Sequence, residues 1–206
     1  MTNLTLYTHP YSRGRIVRWM LEELGVPYDV QLLEYGSTMK APEYLAINPM
    51  GKVPAIKHGD TVVTEVAAIC AYLADAFPEK KLAPPSGSEQ RGCYYRWMFF
   101  VAGPLEMAAT ARAYDWKIDD ENAVSIGCGQ YQDVINALVG ALEKGPFICG
   151  DQFTAADVLT GSFIGWGIMQ KTMDPLPVFT AYVERLNKRE AAVRANALDD
   201  ALIKQG

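Results

Sequence analysis

Histidine is scarce in this sequence. Only His9 and His58 occur among the 206 residues, far apart and without ligand spacing, so the pattern of a dedicated zinc site is absent. No C-x-x-C pair exists either. The four cysteines, Cys70, Cys93, Cys128 and Cys149, stand apart, which excludes a zinc ribbon and a vicinal redox motif. We expect each to be a reduced, buried, small hydrophobe. Basic charge is not in excess: 19 Lys and Arg stand against 24 Asp and Glu, a net charge of −5, which argues against a broad nucleic-acid footprint. The opening "MTNLTLYTHP" has no charged leader ahead of a long apolar stretch, and no window reaches transmembrane length free of charge. The expectation is a cytoplasmic protein with no metal, no membrane and no nucleic-acid partner.

What is present is an ordinary globular mixture, 50% hydrophobic and 21% charged, in a chain long enough for one large core or two small ones. Residues 3–7, "NLTLY", alternate as a short strand. From Ser12 to Leu24 the period turns helical, with Ile16, Met20 and Leu24 on one stripe beside Val17 and Leu21. Gly25 stops this helix and Pro27 follows. "YDVQLL", 28–33, is a second strand, completing a β-α-β unit. A short helix or turn lies within 40–51, bounded by Pro42 and Pro49. Strands at 53–57 and 60–63 form a hairpin at His58-Gly59, and a helix at 65–77 closes with "AFP". Residues 78–89, "PEKKLAPPSGSE", read as a linker. Beyond it the patterns are all helical: about 89–114, 121–144, 154–170, 176–188 and 190–198. Thr154 and Asp157, in "TAAD" ahead of an apolar run, predict a capping box. The fold class is α+β: an α/β domain over 1–78, a linker at 79–88, and an all-α domain over 89–206.

Between the first strand and the first helix lies "HPYSRGR", residues 9–15. Glutaredoxins carry Cys-Pro-Tyr-Cys at such a turn; here His9 and Ser12 stand at the two cysteine places, around Pro10 and Tyr11. Taken alone, Ser12 reads equally well as a plain N-cap. Arg13, Arg15 and Arg18 crowd the first turns of the helix against its dipole, and a solvated face is their plain reading.

The element order, this turn and the helical second half together resemble the cytosolic glutathione transferases. Three further stretches are similar to motifs of that family, in order and at its spacing: "NPMGKVPAI" (48–56), "GDTVVTEVAAICAYL" (59–73) and "ICGDQFTAADV" (148–158). The pattern is nearest to the serine-type phi, theta and beta-like classes. The resemblance covers the whole chain. It implies a thioredoxin-like first domain that binds glutathione as cosubstrate, a helical second domain that takes a hydrophobic electrophile, and a homodimer.

It also implies roles for individual residues. A free thiol has a pKa of about 8.5, so it is mostly protonated at neutral pH; a hydroxyl beside a helix N-terminus lowers that value. Ser12 falls on the catalytic serine. Tyr11 and Tyr7 are competing hydroxyls, with Tyr11 read as lining the site and Tyr7 as a packed strand aromatic. Arg13 would offset the thiolate or a glutathione carboxylate. Val53-Pro54 resembles the family's cis-proline turn, whose outward backbone pairs with the cysteinyl residue. Lys40 and Lys52 match positions that hold the glycine carboxylate, and Glu65 matches the acid that receives the γ-glutamyl ammonium. Val66 stands where the family usually has Ser or Thr, so the γ-glutamyl carboxylate would depend on the helix N-terminus alone. Phe100, Met107, Tyr114 and Trp166 are candidates for the electrophile pocket. The implied activity is conjugation, with reduction of organic peroxides as a side activity. The alternatives are a glutathione-dependent isomerase of the zeta kind, and a non-enzymatic regulatory protein on the same fold.

Overall fold

The computed structural model describes residues 3–204, and the chain divides into two compact units. One takes the chain as far as Lys80 together with the segment from Lys188 onward; the other is Lys81–Asn187. The first unit begins β1 (Leu4–Thr8), α1 (Gly14–Leu24), β2 (Asp29–Leu32), α2 (Pro42–Leu45), β3 (Ala55–His58), β4 (Thr61–Thr64) and α3 (Val66–Ala76). The strands form one sheet in the order β2-β1-β3-β4. β1 and β2 are parallel, while β3 is antiparallel to both β1 and β4. This is the thioredoxin-like arrangement.

The period of two in β1 decides its packing. Leu4, Leu6 and Thr8 are buried; Thr5 and Tyr7 point to the other face and are half-buried. Tyr7 packs with Leu33, Met39, Tyr44 and Ala55, its ring 5.7 Å from that of Tyr44. α1 buries the predicted stripe of Ile16, Val17, Met20, Leu21 and Leu24. It ends at Gly25, whose left-handed φ of 62° lets its N–H reach the Leu21 carbonyl at 3.0 Å.

The last helix, α9 (Glu190–Ile203), packs against α1 and belongs to this first unit, whereas the sequence pattern ran the helical domain on to residue 206. Ion pairs tie the two helices. Arg18, expected on a solvated face, is 3% exposed and donates through Nε to Asp199 Oδ1 at 2.7 Å. Arg15 reaches Asp200 at 2.8 Å and Asn196 at 3.1 Å. Arg194 and Glu22 pair at 3.1 Å. Just ahead of α9, Arg189 grips both oxygens of Glu23 at 2.6 and 2.8 Å. The "solvated" reading of Arg18 failed because its partner lies 181 residues downstream.

The second unit contains α4 (Gln90–Phe100), α5 (Glu106–Ala113), α6 (Tyr131–Leu142), α7 (Ala155–Met169) and α8 (Pro177–Asn187). The single helix expected over 89–114 is interrupted by a wide, π-type turn at Val101–Leu105. Pro104 lies inside it and has no N–H to give the ladder, which is the physical reason for the break. The helix expected from 121 begins only at Tyr131; the preceding residues form turns held by Asp119 and Asn122, which exchange hydrogen bonds at 3.0 and 3.1 Å. Cys70 and Cys128 are buried as expected, but Cys93 is exposed and Cys149 only half-buried. No helix among the described residues is long and apolar enough to cross a membrane.

α7 begins with the predicted capping box of Thr154 and Asp157. Asp157 does more than the sequence implied. Its Oδ2 accepts the Thr154 N–H at 2.8 Å; its Oδ1 accepts the Ile148 N–H at 2.7 Å and the Tyr182 hydroxyl at 2.8 Å. One buried carboxylate thus joins the α7 start, the preceding loop and α8. Thr154→Ala should cost about 0.5–2 kcal/mol. Asp157→Ala should cost more, on the order of 3 kcal/mol or above, because it leaves several buried donors without an acceptor. Urea denaturation midpoints measure both, and equal midpoints for the two variants would contradict the ranking.

Candidate functional site

The sheet register gathers the candidate residues at one end. Tyr7 of β1 lies opposite Ala55 of β3, and Ala55 lies opposite Thr64 of β4. The end of β1 feeds the turn at 9–13, the start of β3 follows Val53-Pro54, and the end of β4 feeds Glu65 and α3. Adjacent strands are about 4.8 Å apart, so the β1 turn and the α3 N-terminus are separated by roughly 10 Å, with Val53-Pro54 between them. On the other side of β1, Thr8 pairs with Leu32 at the end of β2, so the segment Leu33–Tyr35 joins the same end.

Ser12 is not the first residue of the helix. It sits one place ahead of the N-cap position, Arg13, in a hydrogen-bonded turn. Its Oγ donates to the His9 carbonyl at 2.7 Å and accepts the Gly14 N–H at 2.9 Å. The hydroxyl therefore satisfies one of the orphan amides of α1 while half-buried. No acidic residue occupies the first turn of α1, which leaves its positive end to an incoming anion. Gly14 is needed for this turn: a Cβ there would collide with the Thr8 hydroxyl and come within 2.9 Å of Ser12 Oγ.

Tyr11 is 61% exposed at the tip of the turn, and its N–H donates to His9 Nδ1 at 3.2 Å. Arg13 is exposed beside it. Tyr35, which sequence patterns did not single out, closes the turn from the β2 side. Its hydroxyl donates to the Tyr11 carbonyl at 3.3 Å, and its ring packs edge-on to His9 at 4.6 Å. Partial burial holds the Tyr35 phenol above its ordinary range, while the neighbouring Arg13 guanidinium and Ser12 hydroxyl pull it down.

The Val53-Pro54 peptide is cis. The loop before it is pinned by two donors: Tyr44 Oη at 2.6 Å and Asn48 Nδ2 at 2.7 Å, both to the Lys52 carbonyl. Burial pushes the Tyr44 phenol up to about 12, against the hydrogen bond with Asn48. The signal for Asn48 was the "NP" dipeptide at 48–49; nothing in sequence pointed to Tyr44. Lys40 Nζ donates to the Met50 carbonyl at 2.8 Å, which brings Lys40 to the same loop as Lys52. The backbone N–H and C=O of Val53 make no hydrogen bond among the described residues.

Glu65 has φ 68° and ψ 118°, a conformation that side chains other than Gly rarely adopt and that costs of order 1–3 kcal/mol. Its side chain is exposed, and no side chain caps α3. The first-turn amides of α3, beginning with Val66, are therefore left without a side-chain acceptor.

In the second unit, Met107, Tyr114 and Trp166 are 38%, 73% and 50% exposed, while Phe100 is half-buried with its ring 5.2 Å from Trp97. A cavity of about 170 Å³ lies instead among Ala108, Ala111, Arg112, Trp116, Ile118, Gln130 and Tyr131, and none of the four candidates lines it. No group of three or more His, Cys, Asp or Glu side chains is placed to hold a metal ion among the described residues.

Comparison with known proteins gives the family. Residues 10–76 match the model of the glutathione S-transferase N-terminal domain. The chain is 30% identical over 149 residues to glutathione S-transferase GstA of Escherichia coli O157:H7, covering 71% of this chain and 73% of that one. Among solved structures it is similar to a glutathione transferase of Methylococcus capsulatus, with a TM-score of 0.80 and 28% identity over 96% of this chain and 99% of the other. It is also similar to the transferase URE2P6 of Phanerochaete chrysosporium, solved with oxidised glutathione, with a TM-score of 0.79 and 25% identity over 97% of each chain. The chain belongs to the glutathione S-transferase family.

The turn's dependence on Gly14 can be measured. Gly14→Ala should destabilise the protein by about 1–3 kcal/mol, the usual range for overpacking, although Ala is the better helix former. A thermal midpoint at or above that of the unaltered protein would show that the Thr8 and Ser12 hydroxyls yield without cost.

Proposed function

We propose that this chain binds glutathione along the end of its sheet, ionises the thiol beside Ser12 and adds the thiolate to hydrophobic electrophiles. The observation that carries this reading is the row of groups at one sheet end. A turn hydroxyl at a helix N-terminus, an unpaired backbone at Val53 and an uncapped helix N-terminus behind Glu65 follow one another over roughly 10 Å, the length of an extended tripeptide. In this reading the cysteinyl backbone pairs with Val53, next to Pro54, as an added strand would. The γ-glutamyl carboxylate meets the α3 amides at Val66, and its ammonium meets Glu65. The glycine carboxylate lies toward Lys40 and Lys52. Ser12 turns its proton from the His9 carbonyl to the sulfur, giving up a 2.7 Å hydrogen bond, while that carbonyl keeps the Ser12 N–H at 3.0 Å. Tyr11 and Arg13 flank the sulfur. Apolar side chains of the helical unit, with Met107, Tyr114, Trp166 and Phe100 as first candidates, receive the electrophile. By the habit of the family, the protein is a homodimer that works in the cytoplasm.

Retention on immobilised glutathione and turnover of a chlorodinitroarene test the reading together. Ser12→Ala should retain binding and lose conjugation by about 100-fold or less, at or below the low end of the roughly 2.7–4 kcal/mol of an oxyanion donor, because the thiolate is already formed in the ground state. Binding without any conjugation by the unaltered protein would favour a non-enzymatic role on this fold; absence of binding would refute the reading.

Val66 gives a second test. Val66→Ser would restore one side-chain hydrogen bond to a carboxylate, worth about 1.5–3 kcal/mol. Glutathione titrated by calorimetry should therefore bind the variant at least tenfold more tightly. Equal affinity would place the γ-glutamyl carboxylate elsewhere.

A further inference from the structure

The Ser12 hydroxyl has one proton, and the turn already uses it. That proton goes to the His9 carbonyl at 2.7 Å, and one lone pair is taken by the Gly14 N–H at 2.9 Å. Ser12 is thus a competent donor to sulfur only at the expense of its own turn. A second hydroxyl at the same turn is far less committed. Tyr35 arrives from the end of β2, is 58% exposed, and spends its proton on a single long hydrogen bond, 3.3 Å to the Tyr11 carbonyl. Its ring is fixed edge-on to His9 at 4.6 Å, so the phenol oxygen is held over the turn while its O–H stays free to redirect. The Ser12 hydroxyl and the Arg13 guanidinium both lie close enough to act on the phenol. His9 is anchored in turn through Nε2, 3.5 Å from Glu34, and through Nδ1, which accepts the Tyr11 N–H. The groups facing the phenol are therefore Ser12, Arg13, His9 and the Tyr11 backbone, with Glu34 behind the imidazole.

We propose that Tyr35 is a second catalytic hydroxyl, donating from the β2 side to the glutathione sulfur that Ser12 approaches from the α1 side. The inference rests on the glutathione-binding reading above and extends it to a residue that neither the turn motif nor the family stretches include. No bond to the phenol proton breaks. The thiol proton leaves to solvent, and the thiolate accepts hydrogen bonds from both hydroxyls. A phenol is a much stronger acid than a serine alcohol and so a better donor to sulfur. Releasing Tyr35 gives up a 3.3 Å hydrogen bond at an exposed carbonyl, whereas releasing Ser12 gives up a 2.7 Å hydrogen bond within a half-buried turn. Of the two donors Tyr35 is the one that can be redirected at lower cost.

The test uses Tyr35→Phe, which keeps the ring against His9 and removes only the hydroxyl. Three readouts are compared in the unaltered protein, Tyr35→Phe, Ser12→Ala and the double variant. They are the pH titration of bound glutathione's thiolate absorbance, conjugation rate at saturating glutathione, and affinity for S-methylglutathione, which has no ionisable thiol. We expect Tyr35→Phe to raise the bound thiol's titration midpoint by about one pH unit, equivalent to tenfold in ionisation. Conjugation at neutral pH should fall by up to that factor, and S-methylglutathione affinity should not change. The double variant should titrate higher than either single one. A titration in Tyr35→Phe that overlays the unaltered protein overturns the proposal while leaving the glutathione-binding reading intact. A loss of S-methylglutathione affinity equal to the loss in rate makes Tyr35 a structural prop and also overturns it. If the unaltered protein holds no glutathione at all, the parent reading fails and this inference falls with it.

Discussion

The alignment of β1, β3 and β4 is the constraint on which the candidate site depends. Side-chain identity in this region matters less than the fact that Tyr7, Ala55 and Thr64 lie in one row across the sheet. A slip of one residue in any of these strands would reverse which side chains face the core and separate the turn, the cis-proline loop and the α3 N-terminus. The register is held from both faces. Leu4, Leu6 and Ile56 are fully buried on their side, and Tyr7 packs with Tyr44 and Met39 on the other. Burial of the strands therefore fixes the spacing of groups that themselves remain exposed.

The candidate site is made largely of backbone. The α1 and α3 amides and the unpaired Val53 do not depend on unusual side chains, only on where the chain turns. Side chains serve to hold those turns in place. Tyr44 and Asn48 pin the loop before Pro54, Lys40 braces it from the Met50 carbonyl, and His9, Tyr11 and Tyr35 brace one another around Ser12. The left-handed backbone of Glu65 is the costly element of this set. It persists because β4 and α3 fix the chain on either side of it.

How much of this was legible in the sequence follows from how local each feature is. The β-α-β-α-β-β-α order, the α1 stripe ending at Gly25 and the box between Thr154 and Asp157 are encoded within a few residues, and periodicity or a short motif finds them. Pro104 was visible as a residue, but whether a proline ends a helix or widens one turn of it depends on neighbours from other segments. Contacts over long separations were not legible. Arg18 looked solvated because nothing near it in sequence reports Asp199. Tyr35 carried no motif, since its place over the Ser12 turn follows from the parallel pairing of β1 with β2. Cys93 looked like core because reduced cysteine is usually buried, and nothing local says which face of α4 is covered.

The pairing of α1 with α9 has a consequence for how the protein is made. The first unit is interrupted by a complete helical unit, and Arg18, 3% exposed in the finished protein, lacks the carboxylate it pairs with until residue 199 has left the ribosome. During synthesis the strands and α1 emerge first, yet they carry a cation aimed at a face that is still uncovered. An isolated buried charge is strongly unfavourable, so the face of α1 around Arg18 stays hydrated until α9 arrives. The inserted helices can be produced and folded in that interval. The domain translated first is therefore the last to be sealed.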